Sequence, residues 1–447
     1  MADVLPFNGL RYNPKQITDM SAVMAPPYDV INAAEQKAFY GQHPNNVIRL
    51  ILNHIYSSDT KTRNRYSRAA STLQQWQKDE ILLRDAKPGY YAYWQDYTLP
   101  DGRTYVRKGV LGRLKLSPFT DGVVFGHELT HKKARNDRTM LMEACQTNLS
   151  PVFMMYPDSR GTMKKLLPQR APKKPVVDYT DDAGIRHRMW PLHDVEKNRA
   201  IAKAFKSREV YIADGHHRYT ASLAYRDQMR KQCRVKGDAP YDYTMTYFTS
   251  MHDDGLCVLP IHRFLFDLPA KRIQGLLPKL EPFFSINPVA DGAGSLDNKI
   301  TVLQQQLSAA KGAAFGYFDK ESQASYVLAT KPKAIQKALT DLGIDKPLQK
   351  VDVIILHKLI FENLLGITPK AQEEQRNMSY VKGNADVAAE IRRRPCQCAF
   401  LMNPLSLDTL RMVVKAGCFL PQKSTFFYPK LLSGLVFHSL KADDANL

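Results

Sequence analysis

Apolar runs long enough to cross a membrane are missing from this 447-residue chain; nothing approaches the roughly 18 consecutive apolar residues a span needs. Met1 to Asn8 carries no basic stretch followed by an apolar one, so no secretion signal is expected. Cysteine is sparse. Cys145, Cys233, Cys257, Cys396, Cys398 and Cys418 are scattered, and the close pair Cys396 and Cys398 has no second pair to complete a zinc site. A disulfide between such near neighbours would be strained, so the expectation is a reduced, cytoplasmic protein without a membrane anchor. Repeats and low-complexity segments are also absent.

Negative charge is short relative to positive: 63 Lys and Arg face 44 Asp and Glu, a formal net charge of +19. Part of the excess lies between Arg160 and Lys174, where Arg160, Lys164, Lys165, Arg170, Lys173 and Lys174 meet no acid. Pro168, Pro172 and Pro175 break up that stretch, so it reads as a solvated connector rather than a helix for a nucleic-acid groove. No RNA-recognition motif, zinc-finger pair or basic heptad accompanies it. Weak, nonspecific nucleic-acid binding that salt would screen is the expected consequence.

The length suffices for a large core, and the pattern suggests two parts, 1–268 and 269–447. Pro26-Pro27 imposes an extended path that holds Tyr28 and Asp29 at the end of a stiff segment. Tyr66 to Lys78 reads as a helix with Ala69, Leu73 and Trp76 on one side. Gly89 to Tyr97 and Tyr105 to Leu116 read as strands around a Pro100-Asp101-Gly102 turn. Val152 to Tyr156, Val210 to Ala213 and Tyr243 to Thr249 extend the sheet. In the second part, Ala314 to Phe318, Ser325 to Thr330 and Ala399 to Met402 read as strands and Val353 to Leu365 as a helix. The fold class expected is α/β or α+β with a mixed sheet and a C-terminal α/β part.

The densest chemistry lies at Val210-Tyr211-Ile212-Ala213-Asp214-Gly215-His216-His217-Arg218-Tyr219-Thr220-Ala221. An apolar strand runs into a glycine turn and then a helix-like segment from Tyr219 to Lys231. Such a junction aims backbone N–H groups at one spot, and the helix dipole favours an anion there. Arg218 could fork onto two phosphate oxygens, and His216 and His217 add donors that titrate near neutrality. The blander reading makes Asp214 a helix cap and the histidines surface groups.

The pattern Gly215-x-x-Arg218-Tyr219-x-Ala221 resembles the nucleotide-binding turn of the ParB/sulfiredoxin superfamily. A longer set resembles the domain-of-unknown-function family number one thousand and fifteen. It comprises Ala25-Pro26-Pro27-Tyr28-Asp29-Val30, Pro44-Asn45-Asn46-x-x-Arg49-Leu50, His127-Glu128-x-Thr130, Asp137-Arg138, Asn148-x-x-Pro151-Val152-Phe153, Ala213 to Arg218, and Pro421-x-Lys423-Ser424-Thr425-x-Phe427-Tyr428-Pro429-Lys430. The resemblance implies a ParB/sulfiredoxin-like nucleotide-binding core similar to that of free-serine kinases, with phosphates received by Asp214, Gly215, His216, His217, Arg218 and Arg138. It implies an ATP- or ADP-dependent phosphotransferase with Mg²⁺, acting on a small hydroxyl compound, with free L-serine as one candidate. On that reading Glu128 accepts the acceptor's proton with His127 and His217 beside the chemistry, and Asp137 binds Mg²⁺. Tyr28, Asp29, Asn46, Arg49, Thr130, Lys423, Ser424, Thr425 and Lys430 then hold substrate or an anionic ligand.

Two other readings compete. His127-Glu128-Leu129-Thr130-His131 satisfies H-E-x-x-H, which on a helix turns both imidazoles toward a zinc ion with Glu as base. The extended form fails, because Ala134 stands at its glycine position and Asp137, followed by Arg138, stands where a third His would close the motif. The other alternative is a nucleotide-switched binding protein without turnover.

Overall fold

A computed structural model of the chain describes residues 1–172, 174–233, 235–290 and 294–441; Lys173 of the basic connector lies outside them. The chain divides into two compact units, one of 1–126, 130–257 and 429–447, the other of 127–129 and 258–428. The boundary therefore falls at 257/258 rather than 268/269, and the segment after Tyr428 belongs with the first unit. Pairing explains that return: Leu10 bridges Phe437, Ala25 bridges Ser433, and His438–Ser439 pairs with Thr147–Asn148.

The first unit is built on a nine-stranded mixed sheet. Val124–Phe125 runs parallel to Val210–Asp214, which lies antiparallel to Val152–Tyr156. Val152–Tyr156 is parallel to Tyr243–Ser250, and an antiparallel meander follows through Thr104–Lys115, Tyr90–Thr98, Arg186–Leu192 and Val177–Thr180. The five residues of Val152–Tyr156 are all buried, as expected for a strand covered on both faces. One face packs Ile201 and Phe205 of the Val195–Phe205 helix against Val110, Met154 and Phe248.

The second unit carries a six-stranded antiparallel sheet in the order Phe284–Pro288, Ser325–Thr330, Ala314–Asp319, Cys398–Met402, Ile261–Leu265, Met378–Lys382. One core lies against Ile355–Leu364, which winds as a π-helix rather than the ordinary helix its apolar pattern suggests. Such wide turns often mark a functional or strained place, and here the π-helix carries His357 into the core. The molecule is thus mixed α/β throughout. Among the described residues, no helix is long and apolar enough to cross a membrane.

Candidate anion-binding site

The strand Val210–Asp214 pairs with Val152–Tyr156 through an irregular register: Ile212 faces Met154, yet Asp214 faces Phe153. Ala213 is the extra residue, and a bulge of this kind re-aims the side chain that follows it. Asp214 leaves the sheet at that point and the chain turns at Gly215, whose φ is +94°. Only glycine takes that conformation without strain, and a Cβ there would meet the Arg218 Nε at 2.9 Å. The helix begins at once, spanning His216–Gln232 instead of starting at Tyr219. His216, His217 and Arg218 therefore form its first turn, where N–H groups point along the axis instead of bonding within the helix.

Arg218 is almost fully buried and folds back under this turn. Its Nη2 donates to Asp214 and its Nη1 to the Pro151 carbonyl. The outward phosphate fork expected from sequence is thus a clamp that ties the helix start to Asp214 at the end of one strand and to Pro151 just before another. Lys430 joins the same carboxylate, donating from Nζ to Asp214 Oδ1. Burial alone would raise the Asp214 carboxyl, but Lys430 and Arg218 outweigh it and hold the group well below the usual carboxylate range. Two cations and one carboxylate thus meet at a helix N-terminus, where the dipole is positive.

Lys430 is placed by residues that sequence reasoning missed. Gln95 Nε2 donates to the Lys430 carbonyl at 2.9 Å, and Arg107 Nη2 donates to the Pro429 carbonyl at 2.6 Å. Both side chains are completely buried in a sheet of aromatic neighbours. Gln95 within Tyr90-Tyr91-Ala92-Tyr93-Trp94-Gln95 was the available signal: a polar residue in a buried apolar run needs a partner.

Tyr28, Arg138 and Arg218 come together around a small cavity of about 40 Å³, with Asn148, Ser150 and Thr244. The Arg138 guanidinium stacks over the Tyr28 ring at 3.8 Å and donates to the Ile51 carbonyl at 3.0 Å. Burial raises the Tyr28 phenol in spite of that cation. Asp29 is exposed beside it in a short 3-10 turn.

Asp137 does not fit the expected Mg²⁺ role. One carboxylate oxygen accepts from Arg65 and from the Tyr66 hydroxyl at 2.7 Å, while the other accepts from Arg138. Burial works against the charged form, yet Arg138, Tyr66 and Arg65 keep the carboxyl below its ordinary range. A carboxylate saturated by two arginines is a strut and offers little to a metal ion. Among the described residues, no group of three or more His, Cys, Asp or Glu gathers to hold a metal.

The helical premise of the zinc reading also fails. The helix at this point spans Lys132–Cys145, with His131 as its extended N-cap, so the residues from His127 to Thr130 lie before it. In the first unit, the His131 ring stacks 6.1 Å from that of His217, and Thr130 is half-buried just before the helix. In the second unit, Glu128 bridges Leu420 and the His127 Nε2 lies 2.9 Å from the Thr425 hydroxyl. Two imidazoles at i and i+4 therefore share no helical face.

Thr425 belongs to the Pro421–Tyr428 stretch of the second unit, which is held both by its own groups and by neighbours. Ser424 donates to the Pro421 carbonyl, and the Lys423 carbonyl accepts from Arg263 Nη2 at 2.9 Å. Asn46 is fully buried and structural: its amide donates to the Ala22 carbonyl at 2.8 Å and accepts from the Ile48 N–H at 2.9 Å. Arg49 is apart from the turn, stacked on Tyr40 at 4.5 Å at an open bowl of about 620 Å³.

No curated protein matches this sequence. Similar solved structures include a free serine kinase in complex with AMP, 9% identical, covering 75% of this chain and 93% of that one at a TM-score of 0.34. A conserved hypothetical protein from Pyrococcus furiosus is 11% identical, with 75% and 97% covered at a TM-score of 0.33. SbnI from Staphylococcus aureus, truncated at its C-terminus, is 12% identical, with 72% and 85% covered at a TM-score of 0.32. The family described as "Protein of unknown function (DUF1015)" matches residues 4–354, and this chain belongs to it.

Proposed function

We propose that this protein is a nucleotide-dependent phosphotransferase that receives the phosphates of ATP or ADP at the turn Gly215 to Arg218. One observation carries the reading: a left-handed glycine opens a 17-residue helix beside the Arg218–Asp214–Lys430 cluster. Backbone N–H groups, a positive dipole end and the Arg218 and Lys430 side chains then converge where a polyphosphate would sit. Arg218 sets the turn's shape and Lys430 adds a second positive charge beside it. Mg²⁺ enters with the nucleotide, held by phosphates and water, since Asp137 is already saturated.

The phosphoryl acceptor is a small hydroxyl compound, with free L-serine the first to try. Glu128 takes the acceptor's proton, an assignment resting on its place in His127-Glu128-x-Thr130.

The experiment is a thermal-shift and phosphate-transfer assay with Mg²⁺-ATP, ADP and CTP across hydroxyl acceptors, on wild type, His217→Ala and Glu128→Gln. A nucleotide should raise the melting temperature; a hundredfold excess over Kd adds about 2.7 kcal/mol. His217→Ala should weaken that shift, whereas Glu128→Gln should keep it and lose turnover by roughly 10²–10⁴. No shift with any nucleotide at millimolar concentration refutes the turn. A shift without turnover on any acceptor leaves a nucleotide-switched binding protein.

A further inference from the structure

Val152–Tyr156 and Tyr243–Ser250 run parallel, and their C-terminal ends frame a cavity of about 290 Å³. Asp214 faces Phe153, near the start of the same strand, so the cavity lies toward the opposite end of the sheet from the glycine turn. Its volume is near the lower bound for small-molecule sites. The lining mixes both signs of charge with aromatic faces: Trp94, Tyr105, Lys108, Tyr156, Lys164 and Asp253 all contribute.

Two of these groups have unused polar atoms. Tyr156 is 2% exposed and its ring packs edge-on against Phe205, yet its hydroxyl makes no hydrogen bond to any described residue. Asp253 accepts through Oδ1 alone, from the Gly255 N–H at 3.0 Å and weakly from the Lys108 N–H at 3.4 Å. Its Oδ2 has no partner among the described residues, and burial pushes the carboxyl up to about 6. Arg107 and Lys108 oppose that shift without bonding Oδ2, which leaves this oxygen for a donor on a ligand. Another carboxylate of the lining, Asp158, is saturated by Arg208 and by the N–H groups of Met163 and Lys164, so it is not competing for that role.

The opposite charge is also fixed. Lys108 Nζ sits over the Trp94 ring at 4.7 Å and donates one hydrogen to the Gln169 carbonyl at 2.9 Å, which leaves donors on the same ammonium. Lys164 stands exposed at the rim.

We propose that this cavity is a binding site for a small zwitterion, a free α-amino acid, with its ammonium on Asp253 Oδ2 and the Tyr156 hydroxyl and its carboxylate on Lys108. A nucleotide fits worse, because its phosphates would meet Asp253 and Asp254. A neutral sugar would offer neither Asp253 nor Lys108 a charged partner. The site is independent of the reading given to the glycine turn.

The test is calorimetry and thermal shift of the full chain with the twenty free L-amino acids, each beside its N-acetylated and its methyl-ester form. At least one free amino acid should bind, and capping either end should weaken it tenfold or more. Asp253→Asn should abolish that binding, yet raise the melting temperature of the ligand-free protein, because it removes a charge that desolvation disfavours. Tyr156→Phe keeps the ring and should lose several-fold in affinity. Mg²⁺-nucleotide binding measured on Asp253→Asn should match wild type, which separates this site from the turn. Absence of binding by every free amino acid at 10 mM overturns the proposal, as does undiminished binding in folded Asp253→Asn.

Discussion

Replacing Asp214 with Asn tests the charge cluster on which the turn depends. The carboxylate is the shared partner of Arg218 and Lys430, whose side chains are 9% and 18% exposed, against 17% for Asp214 itself. Removing one member of a buried ion pair costs about 3–5 kcal/mol, because the remaining charges stay desolvated. Partial exposure places the expected loss at the lower end, about 3 kcal/mol. Arg218 still has the Pro151 carbonyl, so the helix start should loosen without unfolding. The pH dependence gives a second readout. A carboxyl depressed in the folded state stabilises above its unfolded value of about 3.9 and loses that contribution as pH falls. The gap between wild type and Asp214→Asn should thus be constant from pH 7 to about 5 and narrow progressively as pH falls below about 4 toward the depressed folded value. Urea unfolding at a series of pH values measures it, with an unchanged slope on denaturant showing that only stability moved. A loss under about 1 kcal/mol at pH 7, or a gap that stays the same at pH 3, would refute the cluster as described. Lys430→Met, alone and combined with Asp214→Asn, should give a clearly non-additive cycle.

Gly215→Ala forces an L side chain to φ +94° and a Cβ within 3.0 Å of the Arg218 guanidinium; we expect a loss of about 1–3 kcal/mol in urea unfolding, together with weaker nucleotide binding. Arg263→Met removes the donor that holds the Lys423 carbonyl, a charge-assisted bond in a buried place, so the Lys423 loop should open about 1.5–3 kcal/mol more easily. Trypsin cleavage after Lys423 should then rise roughly tenfold or more, and an unchanged rate would show that Arg263 does not hold the loop.

Strands were legible wherever apolar residues ran between turn signals. Gly89 to Tyr97 and Tyr105 to Leu116 fall within one residue of the observed Tyr90–Thr98 and Thr104–Lys115. The helix at Arg65–Lys78 was readable because Ala69, Leu73 and Trp76 form one buried stripe. The Ala33–Gln42 helix was not, since it buries nothing and is started by the Asn32–Glu35 capping box. At the candidate site, the glycine turn could be read locally, but the task of Arg218 could not. Arg218 donates to the Pro151 carbonyl and shares the Asp214 carboxylate with Lys430; Pro151 and Lys430 lie far along the chain, and nothing in the local motif separates a clamp from a ligand hand. Asp137 was misread for the same reason: Arg65 and Tyr66, which saturate it, sit on another helix. H-E-x-x-H failed because its letters imply a helix that starts only after His131.

The return of the chain to its first unit has a consequence for synthesis. Leu431, Leu432, Leu435, Val436 and Phe437 are buried, and Phe437 and Ser433 bridge residues near the start of the chain. A nascent chain that has emerged only to residue 257 therefore lacks part of its own interior. At roughly 5–20 residues per second, translating 258–428 occupies on the order of 10–30 s, during which the early unit waits with apolar surface uncovered. The later unit is nearly continuous in sequence and can close during that interval. The order of folding is thus the reverse of the order of synthesis: what leaves the ribosome first is finished last.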